Sequence, residues 1–420
     1  MNMRKRTLFV IWTVVSAAAL CLCVILTVCH ARAEEAPVQI RAGSYDDSLY
    51  YAGTLPDGGI LLNGVKSRDY DGGELKVNLL CLNADRTLRW EYTYEGEGDC
   101  GAPYATVLKD GRIAQAYRRF RNDGDDIMVH FLTADGQPDG DEFLISTGGE
   151  SLWPHSATPS YLTLERQLTE DGVTSVESEI EIRDWDGNVI NVFRTKSGDG
   201  GFYYFSEEDD GLLLYGQDTE EQPKILKKES AEGKTLWETV LPKQMKDADQ
   251  ALIYDVVRTD DGGYAAFVRE YKVEPYTEET FLVKLDKYGQ IKWTKKEHAE
   301  NGKCWGSIVS YNGKIACHVW SLYEYDEINT PQVFRWFDLD GNDLGETKLT
   351  LKIEDYPTLQ KILAGEEGKG KIPVIEGFNL IPMKDGLWAL AYGGLQKEGN
   401  RDAVGDENGD ETILVRIPEL

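Results

Sequence analysis

The sequence predicts an all-β fold: a seven-bladed β-propeller of four-stranded antiparallel blades, the last blade closed by an N-terminal strand. Three observations carry that expectation. A polar residue plus Gly closes a short hairpin at Asp57-Gly58, Asp110-Gly111, Asp210-Gly211, Asp261-Gly262, Asn312-Gly313 and Asp385-Gly386, with Thr158-Pro159-Ser160 in the vacant place of the series. A second series runs out of phase with it: Asp135-Gly136, Asp186-Gly187, Glu232-Gly233, Tyr288-Gly289 and Asp340-Gly341, with Asp85-Arg86 as a Gly-less first member. Both recur roughly every 50 residues, the period of one supersecondary unit stacked or arranged radially. Finally, Trp90, Trp237 and Trp293 stand at one fixed distance past a turn of the second series, as residues packed between neighbouring copies would.

Residues 251–296 show one unit in full. The apolar run Ala251–Val257 turns at Asp260 to Gly263 and returns through Tyr264–Val268. After a polar stretch comes a third run, Thr280–Leu285, then the turn Asp286 to Gly289 and a fourth strand that begins at Gln290 and reaches Trp293. Short β-rich runs bounded by Asp and Gly are antiparallel strands joined by hairpins. Four of them in about 50 residues match one propeller blade. We label the strands A to D in chain order, so that the first turn series closes A–B and the second closes C–D.

The segments from Asp286 to Trp293 and from Ala231 to Trp237 resemble the turn-plus-Trp repeats of bacterial PQQ-like (quinoprotein-type) propellers. They resemble still more the repeats of exported bacterial propellers of unassigned role. The resemblance implies the fold. The turns lack the Thr of the quinoprotein motif, and no quinone or other cofactor is expected.

Seven copies are counted, and the termini agree. The last copy has strand A (Val374–Ile381), strand B (Leu387–Tyr392) and strand C (Thr412–Ile417), and then the chain ends. Pro37 to Arg41 precedes the first strand A (Leu49–Gly53) and has no other partner, so it is expected to supply the missing strand D and remove both sheet edges.

At the N-terminus, Arg4, Lys5 and Arg6 precede an uncharged run from Leu8 to Cys29, followed by Ala31-Arg32-Ala33 and Glu34-Glu35. This is the layout of an export signal cleaved after Ala33. The run is also long enough, at the ~20 residues a bilayer needs, for a retained single-span anchor. Either reading leaves residues 34–420 outside the cytoplasm as one propeller domain, secreted or at the cell surface, with an insertion at about 354–371.

Residues 1–33 hold four of the 45 Lys and Arg and none of the 73 Asp and Glu, which leaves 41 against 73 and a net charge of −32. Such an acidic surface repels phosphate backbones and anionic headgroups, so nucleic acid is excluded as a partner and the membrane enters only through the N-terminal segment. A monomer is expected. Beyond residue 33 the cysteines are Cys81, Cys100, Cys304 and Cys317. The offset of the obvious pairs along their strands exceeds the ~7 Å a disulfide spans between Cα atoms, and Cys317 alternates with Ile315 and Val319, so unpaired core thiols are expected.

In an A-B-C-D blade the A–B and C–D turns share one face of the disc, and the B–C and D–A connections share the other. The former are short throughout. The latter vary: B–C loops at Lys66–Gly73, Gln167–Thr174, Lys272–Glu279, Ser321–Gln332 and Leu395–Glu411, and a D–A connection at Glu354–Lys371 with helical turns at Pro357–Leu363. Loops on a rigid scaffold carry binding, which places function on the variable face around blades five to seven. Aromatics gather there: Tyr271 and Tyr276 at the blade-five loop, Trp305 leading into blade six, and Trp320, Tyr323 and Tyr325 about its B–C loop, with Glu324 and Asp326 among them. Flat rings beside carboxylates suit stacking against sugars, while the plainer reading makes Trp305 and Trp320 caps of the blade's core.

Catalytic signatures are absent from the sequence. His130, His155, His298 and His318 form no His-x-x-x-His pair, and there is no Cys-x-x-Cys, no Gly-x-Ser-x-Gly elbow and no phosphate-cradling loop. Asp184-Trp185-Asp186-Gly187-Asn188 and Asp338-Leu339-Asp340-Gly341-Asn342 space oxygens as calcium loops do, but occupy the C–D turn slot, where hairpin chemistry accounts for them. Asp406 to Asp410 is a looser calcium candidate. A non-catalytic module that binds a glycan or a cell-surface protein is therefore expected; the alternative is a carbohydrate-active hydrolase or lyase on the same face, marked by a close carboxyl pair or a Tyr–His–Arg group.

Overall fold

The computed structural model describes residues 37–40, 49–67, 75–94, 96, 98–121, 124–147, 152–169, 175–196, 203–208, 211–216, 224–230, 233–245, 247–274, 277–297, 303–321, 326–397 and 411–420. Residues 1–33, on which the export expectation rests, lie outside them. The strands form seven antiparallel sheets, six of them four-stranded meanders in chain order and the seventh with an added strand from elsewhere in the chain at each edge: a seven-bladed β-propeller. Blade one is Leu49–Thr54, Ile60–Ser67, Leu75–Leu82 and Leu88–Thr93. Blade two is Cys100–Val107, Ile113–Arg119, Asp126–Leu132 and Phe143–Thr147. Blade five is Gln250–Arg258, Tyr264–Lys272, Thr277–Leu285 and Ile291–Glu297, and blade six is Lys303–Tyr311, Lys314–Ser321, Gln332–Asp338 and Asp343–Leu349.

Period-two alternation builds the seams between blades. In strand B of blade five, Tyr264, Ala266 and Val268 pack with Leu213 and Leu226 of blade four, while Ala265 and Phe267 pack with Ile308 and Cys317 of blade six. A side chain on a strand faces one seam and its neighbour faces the next, so nearly every core position of the strand is apolar on both faces. Apolar clusters of this kind fill all seven seams, including the one between blade seven (Ile381, Trp388, Leu414) and blade one (Leu49, Ile60, Leu80).

The repeated Trp and the repeated Gly turn out to be two halves of one contact. Trp90 lies on Gly136, Trp237 on Gly289 and Trp293 on Gly341, in each case the C–D turn glycine of the following blade. A Cβ on Gly289 would sit 2.5 Å from the Trp237 ring. The indole N–H of Trp90 donates to the Ala134 carbonyl (3.0 Å) and that of Trp293 to the Leu339 carbonyl (2.9 Å), in the same turns. This also accounts for the Gly-less first turn. Blade one follows blade seven, whose outermost described strand, Val38–Gln39, brings no Trp, and Arg86 takes the left-handed position with φ 70°. Its guanidinium instead stacks on Trp388 of blade seven (4.7 Å) and pairs with Asp385 (2.6 Å).

A matched pair of substitutions separates backbone strain from this contact. Gly262 has φ +78° and open space around it, whereas Gly289 has φ +77° and the indole against it. Gly262→Ala is expected to cost about 1 kcal/mol from the left-handed backbone alone, and Gly289→Ala on the order of 3 kcal/mol because Trp237 must also move. Urea midpoints at constant m-value read the difference; equal costs would show that the Trp does not rest on the turn.

Blade seven differs from the others. Its strand A is Lys371–Met383, strand B Gly386–Lys397 and strand C Glu411–Arg416, and at the outer edge Val38 and Gln39 pair with Leu414 and Ile413. Deleting that two-residue ladder tests whether it closes the ring. The D–A connection before it holds the helix Pro357–Leu363, whose Leu359 and Ile362, with Tyr356, enter the core shared by blades six and seven. Its first turn is fastened by Glu411, which accepts the N–H groups of Thr358 (2.9 Å) and Leu359 (3.1 Å), supplying the partners an isolated helix start lacks. Cys81 and Cys100 are buried, unbridged thiols, and burial pushes both up to about 11. The side chain of Cys304 lies outside the described set.

Candidate functional site

The variable face carries its best-defined polar arrangement at the seam of blades five and six. Strand B of blade five ends there, and its alternation puts Phe267, Arg269 and Tyr271 on the side that faces blade six. Strand A of the same blade has a register shift between Ile253 and Asp255, a bulge that leaves Tyr254 out of the ladder and 46% exposed. Bulges re-aim a side chain, and this one brings Tyr254 to the arginine. The Arg269 guanidinium lies 5.3 Å from the Tyr254 ring centroid and 5.8 Å from that of Tyr271, and donates to the Tyr254 hydroxyl (2.8 Å). Glu278, whose side chain is fully buried at the start of strand C, accepts from it in turn (2.6 Å). The result is a planar cation within 6 Å of two tyrosine rings, its charge matched by a carboxylate, with the Tyr254 ring partly open to solvent.

The electrostatics suit recognition by contact. Burial raises the Tyr271 phenol, against the opposing pull of Arg269, so the hydroxyl stays protonated at neutral pH. Asp255, next to the exposed tyrosine, is pushed up to about 6 by burial, although the N–H groups of Val256 and Ile308 donate to it.

Beside this platform the blade-six B–C loop crosses to blade seven. Asp326 and Glu327 pair with Ile375 and Val374 as a fifth strand on that sheet, Ile328 donates its N–H to the Pro373 carbonyl (3.0 Å), and Asn329 donates to Leu351 (2.9 Å). Ile328 is buried in the core of blades six and seven. Beneath it His318 packs between Phe334 and Phe378 and shares a hydrogen bond with Gln332 (3.1 Å). The far half of the loop is thus fixed to the scaffold.

Of the six aromatics singled out by sequence, Tyr271 stands in the platform. Trp305 and Trp320 lie on strands A and B of blade six, their side chains outside the described set, and Tyr276, Tyr323 and Tyr325 lie outside the described residues altogether. Arg269 and Tyr254 were not singled out. Arg269 was within reach of the same alternation that marks Tyr271; Tyr254 was not, because a bulge hides it from any period-two reading.

A Tyr–His–Arg group does exist, at the seam of blades one and two. Glu142 accepts hydrogen bonds from Tyr94 (3.0 Å), Tyr117 and Arg119 (3.2 Å), and His130 stands 5.3 Å from the Tyr92 ring, 6.1 Å from Tyr94 and 5.4 Å from Tyr117. Tyr117 is wholly buried and His130 only 5% exposed. Burial lowers His130 to about 4 and raises both phenols, so the imidazole is neutral and the tyrosines are weakly acidic. A buried phenol with a raised pKa is a poor proton acceptor for catalysis. The C–D turns with calcium-like oxygen spacing spend their oxygens locally, as hairpin chemistry predicts: Asp184 accepts from the N–H of Asp186 (3.1 Å) and Asn188 (2.8 Å), and Asp338 from Asp340 (3.0 Å) and Asn342 (2.8 Å). Among the described residues no group of three His, Cys, Asp or Glu is placed to hold a metal ion; Asp406 to Asp410 lies outside them.

Fold and site together define a seven-bladed β-propeller with an arginine–tyrosine platform on its long-loop face. Comparison with solved structures agrees on the fold. Polysaccharide lyase Uly1 is 9% identical over 91% of this chain and 99% of its own, with a TM-score of 0.54. The β-propeller domain of the Trilobed protease from Pyrococcus furiosus is 12% identical over 90% of this chain and 97% of its own, with a TM-score of 0.48. Sqt1 of Chaetomium thermophilum, solved bound to the N-terminus of ribosomal protein L10, is 10% identical over 91% and 99%, with a TM-score of 0.44. Likeness at these identities concerns architecture alone. No protein-family model matches the chain, and no curated protein does.

Proposed function

We propose that this chain is an exported, cell-surface binding module that takes a glycan or protein ligand on its long-loop face, at the seam of blades five and six, and does no chemistry on it. The observation that carries this reading is the Tyr254–Arg269–Tyr271 cluster with its buried counter-ion Glu278. Aromatic rings and arginine on a rigid support are what interface hot spots are built from. Their positions are set before any ligand arrives, because Glu278 and the bulged strand hold the guanidinium and the exposed ring. Export rests on residues 4–33 and the acidic balance of the remainder.

A glycan array and a cell-surface protein screen with residues 34–420 test the reading. A ligand should be found, and Tyr254→Ala with Tyr271→Ala should weaken it at least tenfold, about 1.4 kcal/mol, with little change in melting temperature. Binding that is indifferent to the pair, or no ligand in either class, would overturn it. The second reading, a carbohydrate-active hydrolase or lyase, draws on the Tyr94–Tyr117–His130–Arg119 group, and its burial counts against it. Release of reducing ends or unsaturated sugar, abolished by Tyr117→Phe, would favour that reading instead.

A further inference from the structure

Arg269 has a counterpart. It is the sixth residue of a strand B that opens with Tyr264 paired to Leu285, and Arg118 is the sixth residue of the strand B of blade two, which opens with Ile113 paired to Leu132. Two positions further on stand Tyr271 and Phe120. In strand C, Arg269 pairs with Thr280 and Arg118 with Ile127, and two positions before those partners stand Glu278 and Asp125. The arginine, its carboxylate and the ring two positions on repeat in space as well as in register, while the second ring comes from strand A of the same blade at Arg269 (Tyr254) and from strand A of the next blade at Arg118. Arg118 forms an ion pair with Asp125, and its guanidinium lies 5.3 Å from the Phe120 ring and 5.3 Å from that of Trp153 in strand A of blade three (Leu152–Ala157). Phe120 is 38% exposed.

The propeller repeat does not itself require this unit. At the same position blades one, three and six have Val65, Gln167 and Trp320. The unit is therefore an addition to the blade rather than part of its repeat. It occurs at the seam of blades two and three and at the seam of blades five and six, three blades apart in a ring of seven and both on the long-loop face.

Resting on the binding reading above, we propose that these are two related platforms that together engage one extended, uncharged polysaccharide chain. Three features set the ligand class. Each guanidinium already carries its own carboxylate, so neither platform offers an unmatched positive charge. The chain as a whole has a net charge of −28, which repels polyanions at long range. What stays open to solvent is ring surface, Tyr254 at one platform and Phe120 at the other, which suits the apolar faces of neutral pyranose rings. Two sites on opposite sides of the disc favour a polymer, since only a chain long enough to cross the axis occupies both.

The test uses neutral glucan, mannan and xylan oligosaccharides graded from trimer to polymer, with polygalacturonate as the charged comparison, on residues 34–420. The best neutral polymer is expected to bind about 10²-fold tighter than its trimer. Phe120→Ala with Trp153→Ala should remove that gain while trimer binding at the other platform survives. Phe120→Ser alone, at an exposed position, should weaken the polymer about tenfold and keeps the test valid if the double variant fails to fold. Polymer affinity unchanged by Phe120→Ser, or polygalacturonate bound more tightly than every neutral polymer, overturns the proposal. A wild-type protein that binds a surface protein but no polysaccharide also overturns it and leaves the binding-module reading standing; one that binds neither overturns both.

Discussion

Deletion of residues 34–42 is expected to lower the unfolding temperature by about 5 °C or more. Val38 and Gln39 form the outer strand of blade seven, Val38 packs against the core of blades seven and one, and Ile40 lies in it, 6% exposed. Removing the two apolar side chains forfeits about 2 kcal/mol each, and two lost ladder bonds add about 1 kcal/mol. For a unit spanning Val38–Leu420, unfolding entropy scales to roughly 1 °C per kcal/mol. The loss falls at the seam between last and first blades, where it also bares the strand Glu411–Arg416 as a sheet edge open to other chains. A variant that melts with the full-length protein and stays monodisperse would show that the ring does not depend on this strand.

Acidification is expected to destabilise the fold well before ordinary carboxylates titrate. Burial holds His130, His155 and His318 at about 4. Around His130 are three tyrosine rings and Glu142; His155 has Glu165 3.7 Å away; His318 has Gln332 and two phenylalanines. In the unfolded chain each imidazole takes a proton near 6.5, and in the fold each refuses it until about 4. The unfolded state therefore binds more protons across this window, and stability falls as pH drops from 6.5 to 4. At pH 5 each histidine accounts for about 2 kcal/mol, on the order of 6 kcal/mol for the three. Asp255, held up to about 6, works in the opposite sense and offsets part of the loss. Among the described residues neither ring nitrogen of His130 has a hydrogen-bond partner, so His130→Phe should keep the packing and flatten the urea-midpoint slope between pH 7 and 5 by about a third of the histidine contribution. A midpoint constant over that range would mean that the imidazoles are accessible to protons in the folded state.

Much of the architecture was legible because the blade is written in two short-range signals. Turn chemistry fixes where strands reverse: Asp286 accepts from the N–H of Tyr288 and Gln290, and Gly289 supplies the left-handed residue, all within five positions. Alternation then fixes which side chains are buried. Even the vacant place at Thr158-Pro159-Ser160 holds its turn, with the Thr158 N–H donating to the Tyr161 carbonyl. What the sequence did not show is where separate segments converge. That Trp237 rests on Gly289, a blade away, is invisible without the radial arrangement, and so is the reason Arg86 is tolerated where other copies have Gly. Most of the platform is hidden from the sequence for a related cause. Tyr254 is placed by a bulge, which breaks the alternation used to find partners, and Arg269 looked like an ordinary charged residue beyond Val268 until Glu278 came to its side. The relation between Arg118 and Arg269 lies in strand register, which no local sequence pattern encodes.

The long-loop face as the ligand's side of the disc is tested most directly by hydrogen exchange on residues 34–420 with and without the ligand found in the binding screen. Slowed exchange is expected at Arg269–Lys272 and across residues 326–332, with the C–D turn at Asp286–Gln290 unaffected. Protection confined to the short turns, with Arg269–Lys272 exchanging as in the free protein, would put the ligand on the other face and contradict the account.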